Sequence, residues 1–275
     1  MPSATIAGIW EEKQSKMDKL ILIAGPCAIE NKETPFAIAT ELVRLAEKFN
    51  LRLIFKGSYR KANRTDLNSF TGIGDEAALE ILQEIGQHFN VETITDIHES
   101  HEAELATKYV DHIQIPAFLC RQTELLLAAG NHATTVNIKK GQFLSPESMK
   151  FPLEKVQSTK CEEVWLTERG TTFGYNELVV DATAIYRMKA LGAKVIMDCT
   201  HATQKPNKTE GITGGDPAMI ETLALSAIAT GADGLFIETH PEPSSAKSDP
   251  HTMLQLDKLE SLLEKVIRVR LAVGH

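Results

Sequence analysis

Four cations crowd into nine residues at 56–64: Lys56, Arg60, Lys61 and Arg64. Ser58, Asn63 and Thr65 add neutral hydrogen-bond donors among them. Like charges this close repel, so the stretch reads as a receptor for anions, either two phosphates or a phosphate and a carboxylate. Arg grips a phosphate through a planar fork, and Lys acts as a point charge. A solvated loop is the plainer reading of most charge runs, but this one directly follows the apolar run Leu51–Phe55. A second set, Cys27, His201, Glu238 and Asp249, offers a thiol, an imidazole and two carboxylates. Such a mixture suits Zn(II), Fe(II), Mn(II) or Co(II) better than Mg or Ca. Its spacing is too wide to be a motif, and each member read singly is an ordinary packing or loop residue.

What would bring these residues together is an alternation of short apolar runs with helical periodicity. Strands are predicted at Leu20–Ala24, Leu51–Phe55, Glu92–Thr95, His112–Ile115, Thr134–Ile138, Val164–Thr167, Ala193–Met197 and Gly234–Ile237. Helices are predicted between them: from Thr34-Pro35, from Asp75, near 100–108, before Gly130, at 146–156, at 178–190, from Asp216-Pro217 to Gly231, and at 253–270. Eight such pairs in about 250 residues suggest a single-domain (β/α)8 TIM barrel over 19–275, with a polar lead-in at 1–18. A doubly wound sheet competes, but Gly25-Pro26-Cys27 is not its glycine-rich phosphate turn.

Barrel enzymes place their chemistry at the C-terminal ends of the strands. The residues just past the predicted strands are Cys27, Lys56, Asp96, Gln114, Lys139 with Lys140, Glu168 with Arg169, Asp198 through His201, and Glu238 with His240. One rim therefore gathers both the anion-binding cations and the metal-ligating set.

A formal net charge of −8 argues against a general nucleic-acid binder and makes the local basic cluster more informative. No apolar run spans a bilayer, and Trp10-Glu11-Glu12-Lys13 breaks any apolar signal core, so a cytoplasmic protein is expected, with no membrane partner. Cys27, Cys120, Cys161 and Cys199 form no close pair or zinc-ribbon spacing, and are expected as thiols, Cys120 and Cys161 as small buried hydrophobes.

The residues that carry a family resemblance are Gly25-Pro26-Cys27, Phe55-Lys56, Lys61-Ala62-Asn63-Arg64, Thr95-Asp96, Gln114 to Leu119, Arg121-Gln122-Thr123, Asn137 to Lys140, Arg169-Gly170, Phe173-Gly174-Tyr175, Asp198 to His201 and Gly234 to Glu238. Together they closely resemble the 3-deoxy-D-manno-octulosonate 8-phosphate synthases, also called 2-dehydro-3-deoxyphosphooctonate aldolases, from about residue 20 to 265. The resemblance implies condensation of phosphoenolpyruvate with D-arabinose 5-phosphate and water, with release of phosphate, for lipopolysaccharide biosynthesis. The sister 3-deoxy-arabino-heptulosonate 7-phosphate synthases, which use erythrose 4-phosphate, are the alternative. They typically read Lys-Pro-Arg-Thr where this chain reads Lys61-Ala62-Asn63-Arg64-Thr65.

By position, the resemblance implies that Lys61, Lys139, Arg169 and the loop at Ala117 hold phosphoenolpyruvate. Asn63, Arg64 and Thr65 would hold arabinose 5-phosphate, and Lys56, Ser58, Asp96 and Gln114 would line the centre. The Arg64–Thr65 pair would come from a neighbouring subunit of a homotetramer. Cys27 after Gly-Pro implies the metal-dependent class, with Cys27, His201, Glu238 and Asp249 as ligands of a divalent ion. Ser248 agrees, whereas Pro250 departs from the usual Gly and restricts Asp249. Lys61 is expected as general acid toward the aldehyde oxygen, its pKa lowered by neighbouring cations. Cys27 and His201 complete the expected catalytic set, with the metal either polarising the aldehyde or orienting water.

Overall fold

The computed structural model of the chain describes residues 17–62, 67, 69–175, 177–205 and 214–274. Its strands in chain order are β1 (Ile21–Gly25), β2 (Arg52–Lys56), β3 (Glu92–Asp96), β4 (His112–Ile115), β5 (Thr135–Lys139), β6 (Glu163–Glu168), β7 (Thr171–Phe173), β8 (Glu177–Val179), β9 (Lys194–Asp198), β10 (Gly234–His240) and β11 (Leu254–Gln255). The apolar runs become strands because both faces are covered. All five residues of β1 and of β5 are buried, the signature of a parallel sheet sandwiched between layers. The order β1-β2-β3-β4-β5-β6-β9-β10 closes through β10 onto β1, giving an eight-stranded parallel barrel. This is the (β/α)8 architecture expected from the alternation.

Eight α-helices among the described residues wrap it: α1 (Glu33–Phe49), α2 (Asp75–Phe89), α3 (Glu102–Ala106), α4 (Thr123–His132), α5 (Lys150–Gln157), α6 (Thr183–Lys189), α7 (Met219–Ala229) and α8 (Leu259–Val273). In α1 the stripe Ile38, Ala39, Leu42, Leu45, Ala46 and Phe49 is buried, and Asn50 closes the helix in the left-handed region at φ 52°. None of the described helices is long and apolar enough to cross a membrane.

Two apolar layers result. The large one lies between the barrel and its helices; the small one fills the barrel interior with Ile21, Ile23, Ile54, Ile94, Trp165, Ile196 and Phe236. Truncating a buried Trp or Phe to Ala typically costs about 3–5 kcal/mol. Against a whole-domain stability of about 5–15 kcal/mol, this small plug therefore matters. It also sets the floor of the cleft above it, since Phe236 underlies the Lys139 ammonium at 3.7 Å.

Three predicted elements differ. The helix expected from residue 178 is instead the antiparallel hairpin β7–β8, turning at Gly174 (φ 67°), and α6 begins only at Thr183, where Asp181 Oδ1 accepts its N–H at 2.8 Å. The α4 helix runs through Gly130 rather than ending before it. A Cβ there would lie 2.3 Å from Thr159 Oγ1, so this glycine serves close helix packing and not termination. The last helix starts at Leu259 and not near 253, because Leu254–Gln255 extends the sheet beside Thr239–His240.

Candidate active site

The C-terminal ends of the barrel strands carry the reactive residues. At β1, Gly25 passes so close to β2 that a Cβ would lie 1.9 Å from the Lys56 carbonyl oxygen. That contact brings the Gly25-Pro26-Cys27 turn against the basic loop. Ser58 N–H donates to the Cys27 carbonyl at 3.2 Å, and Ile29 N–H donates to the Ser58 carbonyl at 3.0 Å.

One cleft is lined by Lys56, Ser58, Lys61, Asp96, Gln114, Ala117, Lys139, Arg169, His201, Glu238 and Asp249, with Cys27 buried beside it. Every expected site residue within the described set thus meets here. Asn63, Arg64 and Thr65 lie outside the described residues.

Three groups of contacts organise the cleft. In the first, Lys56 Nζ donates to Ser58 Oγ at 2.9 Å, Lys61 Nζ does so at 3.2 Å, and Ser58 in turn donates to Asp96 Oδ1 at 2.6 Å. Burial alone would raise the Asp96 pKa. Lys56, His98 and Lys61 reverse that and hold the carboxyl well below its usual range.

The second group centres on Asp198, fully buried at the end of β9. It accepts from Lys139 Nζ at 2.7 Å and lies 2.9 Å from His201 Nδ1. Burial opposes its charge, but His201 and Lys139 outweigh it and keep the carboxyl ionised. An ionised carboxylate only accepts, so Nδ1 carries the imidazole proton toward it. Nε2 is left facing Glu238 Oε1 at 3.7 Å. This is the arrangement by which a carboxylate orients a metal-ligating imidazole. Lys139 itself is lowered from the ordinary lysine value, by burial first, with Asp198 and Glu238 partly restoring it.

The third group is Cys27, Glu238 and Asp249, whose ligating atoms all lie within 4.8 Å of one another. The Cys27 thiol is 3.1 Å from Ser248 Oγ and 3.6 Å from Asp249 Oδ2. Burial and the nearby Glu238 and Asp249 carboxylates push the thiol pKa well up, while Lys61 works in the opposite direction. Glu238 Oε2 is buried without a hydrogen-bond partner among the described residues. A soft donor beside two carboxylates, one with an orphaned oxygen, is a donor set that fits a divalent transition ion. His201 stands just outside the triplet, with Nε2 turned toward it. Pro250 does not pull Asp249 away; Asp249 joins the triplet with its backbone in the left-handed region at φ 46°.

Two expectations are corrected. The Lys61 pKa is raised, not lowered: burial does act to lower it, but the Glu238, Asp96 and Asp249 carboxylates around it, with Cys27 adding to them only if its thiol were ionised, outweigh burial. These carboxylates come from strand ends and a loop distant in sequence, and they offset the cations expected from the local sequence. Of the rim residues, Lys140, Glu168, Asp198, Cys199, Thr200 and His240 do not line the cleft. Lys140 and Glu168 pair with each other, each 1% exposed, and His240 Nδ1 accepts from Glu242 N–H at 3.0 Å. The thiols are free as expected, although Cys161 is only partly buried.

Sequence reasoning missed His98, Gln142 and Gln204, which also line the cleft. His98 Nε2 meets Asp96 Oδ2 at 3.1 Å, and Gln204 Oε1 accepts from Arg169 Nη2 at 2.7 Å. Their only signal was position, two to six residues beyond a strand end. Arg169 Nη1, buried, has no partner among the described residues and is a donor held ready for an anion.

A (β/α)8 barrel with buried cations facing a thiol–carboxylate cluster defines an anion-handling barrel of the enzyme type. The sequence model described as the DAHP synthetase I family matches residues 8–273, and the chain belongs to that family. It is also similar to the 2-dehydro-3-deoxyphosphooctonate aldolases of Brucella ovis, Brucella canis and Brucella abortus, at 46% identity over 248 residues, which cover 90% of this chain and 90% of each relative. The resemblance read from the motifs therefore holds across nearly the whole chain.

Proposed function

We propose that this enzyme is a transferase that condenses phosphoenolpyruvate with D-arabinose 5-phosphate and water, giving 3-deoxy-D-manno-octulosonate 8-phosphate and phosphate. The observation that carries the reading is one cleft in which Lys61, Lys139 and Arg169 face the Cys27–Glu238–Asp249 triplet, in a chain 46% identical to enzymes named for the octulosonate product.

Lys139 and Arg169 hold the phosphoenolpyruvate phosphate, with Arg169 Nη1 as a free donor. Their charges offset the phosphate as water adds to C2 and the C–O bond to phosphate breaks. Lys61 remains an ammonium, so it stabilises the aldehyde oxygen as that oxygen gains negative charge, by donation more than by full proton transfer. Lys56, Ser58 and Asp96 fix the centre between the two substrates, and Gln114 and the Ala117 turn close its side. Cys27, Glu238 and Asp249, joined by His201, would hold a divalent Zn, Fe, Mn or Co ion. Bound there, the ion supplies a Lewis acid that polarises the aldehyde or orients water. The protein would act in the cytoplasm, upstream of lipopolysaccharide assembly.

Turnover with arabinose 5-phosphate is expected to exceed turnover with erythrose 4-phosphate by a wide margin, as measured by phosphate release. Equal or reversed turnover would overturn the assignment in favour of the heptulosonate reaction. Arabinose 5-phosphate would be gripped by Asn63, Arg64 and Thr65, the last two reaching in from a neighbouring subunit of a homotetramer. Arg64→Ala mixed with Lys139→Ala should then regain partial activity after subunit exchange. No recovery despite verified exchange would place Arg64 in its own subunit's site.

A further inference from the structure

We propose that Lys140, paired with Glu168, is a positioning residue that ties together the two loops flanking the phosphoenolpyruvate cations and so sets the geometry of Arg169. Both side chains are 1% exposed and absent from the cleft lining, so neither touches substrate. Their ionic atoms are 3.4 Å apart. The Lys140 ammonium also lies 3.0 Å from Thr171 Oγ1, 3.3 Å from the Gly170 carbonyl, 3.4 Å from the Leu144 carbonyl and 3.5 Å from the Gly141 carbonyl. Glu168 Oε1 accepts the Gly170 N–H at 2.6 Å. Arg169 is thus the residue between two anchored neighbours. The stitching continues across the loops, where Thr172 N–H donates to the Gln142 carbonyl at 3.0 Å, and Gln142 lines the cleft.

The energetics favour this reading over plain stabilisation. A buried ion pair is often no more stabilising than apolar residues of the same volume, whereas its geometry is far more restrictive. Here the lysine bridges 141–144 to 168–171, and no apolar side chain could hold those carbonyls in register. Lys139 ends β5 and lines the cleft, whereas Lys140, the next residue, is absent from the lining and pairs with Glu168 behind it. One Lys-Lys pair thereby supplies both a ligand for the anion and a brace for the opposing arginine.

The inference rests on phosphoenolpyruvate binding at Lys139 and Arg169. Its test is calorimetric binding of phosphoenolpyruvate, with Tm and the KM for arabinose 5-phosphate measured alongside, on wild type and on Lys140→Met/Glu168→Leu. The double variant removes both charges, so no unpaired ion is left buried. The expected result is a folded protein with a lowered Tm, because the Gly170 N–H and the Gly141, Leu144 and Gly170 carbonyls lose these partners, together with phosphoenolpyruvate affinity weakened about tenfold or more and the sugar-phosphate KM within about twofold, because small misplacements of a positioned group weaken one contact selectively. If the double variant does not fold, Thr171→Val, which removes one anchor, is expected to weaken phosphoenolpyruvate binding by about threefold with the same selectivity. Unchanged phosphoenolpyruvate affinity in a folded variant, or an equal loss for both substrates, would overturn the proposal. Wild-type protein that binds no phosphoenolpyruvate would overturn the functional reading as well.

Discussion

Lys139→Met is expected to lower kcat/KM by about 10²–10³-fold, the range seen when a single preorganised donor to developing charge is removed. The lysine stands at the end of β5, 7% exposed, with its ammonium 2.7 Å from Asp198 Oδ2 and 3.7 Å above the Phe236 ring. It therefore has two duties: it faces the cleft as a cation, and it balances the buried Asp198. Methionine keeps the apolar stem but loses both. Breaking a buried pair by removing one partner typically costs about 3–5 kcal/mol, so Tm should fall as well. Lys139→Met/Asp198→Asn should recover part of the Tm, and phosphoenolpyruvate affinity measured directly by binding should stay low, which separates the two duties; its turnover does not, because Asp198 also orients His201. A Lys139→Met enzyme within about threefold of wild-type kcat/KM would remove the residue from phosphate handling, because losing a charge-assisted contact exceeds that margin.

The barrel was legible because its strands are short runs buried on both faces. Predicted and observed β4 coincide, and the other barrel strands begin within a residue or so of their predicted starts. The β7–β8 hairpin was not legible, since Leu178-Val179-Val180 reads equally well as the start of a helix. Only the turn at Gly174 and the Asp181 carboxylate, which accepts the Thr183 N–H just before α6, decide between them. For the cleft, the barrel rule was enough to name which residues sit at strand ends, but not which way they point. Lys140 and Glu168 belong to the same rim yet turn behind it. The sign of the Lys61 shift was out of reach for a related reason. Its local sequence is cationic, while the carboxylates that govern it arrive from β3, β10 and the loop at Asp249. Such charge balance is a property of closure, not of any one segment.

Removing divalent ions with a strong chelator such as dipicolinate is expected to abolish turnover, and Mn(II), Co(II), Fe(II) or Zn(II) should restore it to differing degrees. The argument rests on Cys27, Glu238 and Asp249 meeting within 4.8 Å, with Glu238 Oε2 lacking a hydrogen-bond partner among the described residues. A buried and a half-buried carboxylate beside a buried thiol are costly together unless a cation joins them. Lys61 supplies part of that charge, and a bound ion would supply the rest. Burial, Glu238 and Asp249 raise the Cys27 thiol, so the metal must displace a proton to gain a thiolate. Metal affinity should therefore rise with pH, by up to about tenfold per unit while the free thiol stays protonated. Chelator competition at several pH values measures this without relying on turnover. Metal addition should also raise Tm in proportion to ligand excess. Cys27→Ala should lose both the Tm response and nearly all activity. Cys27→Asn should behave differently, keeping some chelator-resistant turnover, since its amide can hydrogen-bond beside the aldehyde without a metal. Asp249 limits that rescue: the residue sits at φ 46° immediately before Pro250, a backbone costing of order 1–3 kcal/mol that suits a fixed ligand and not a mobile one. Wild-type activity in protein shown by elemental analysis to be metal-free would sink the metal reading and return Cys27 to a packing role.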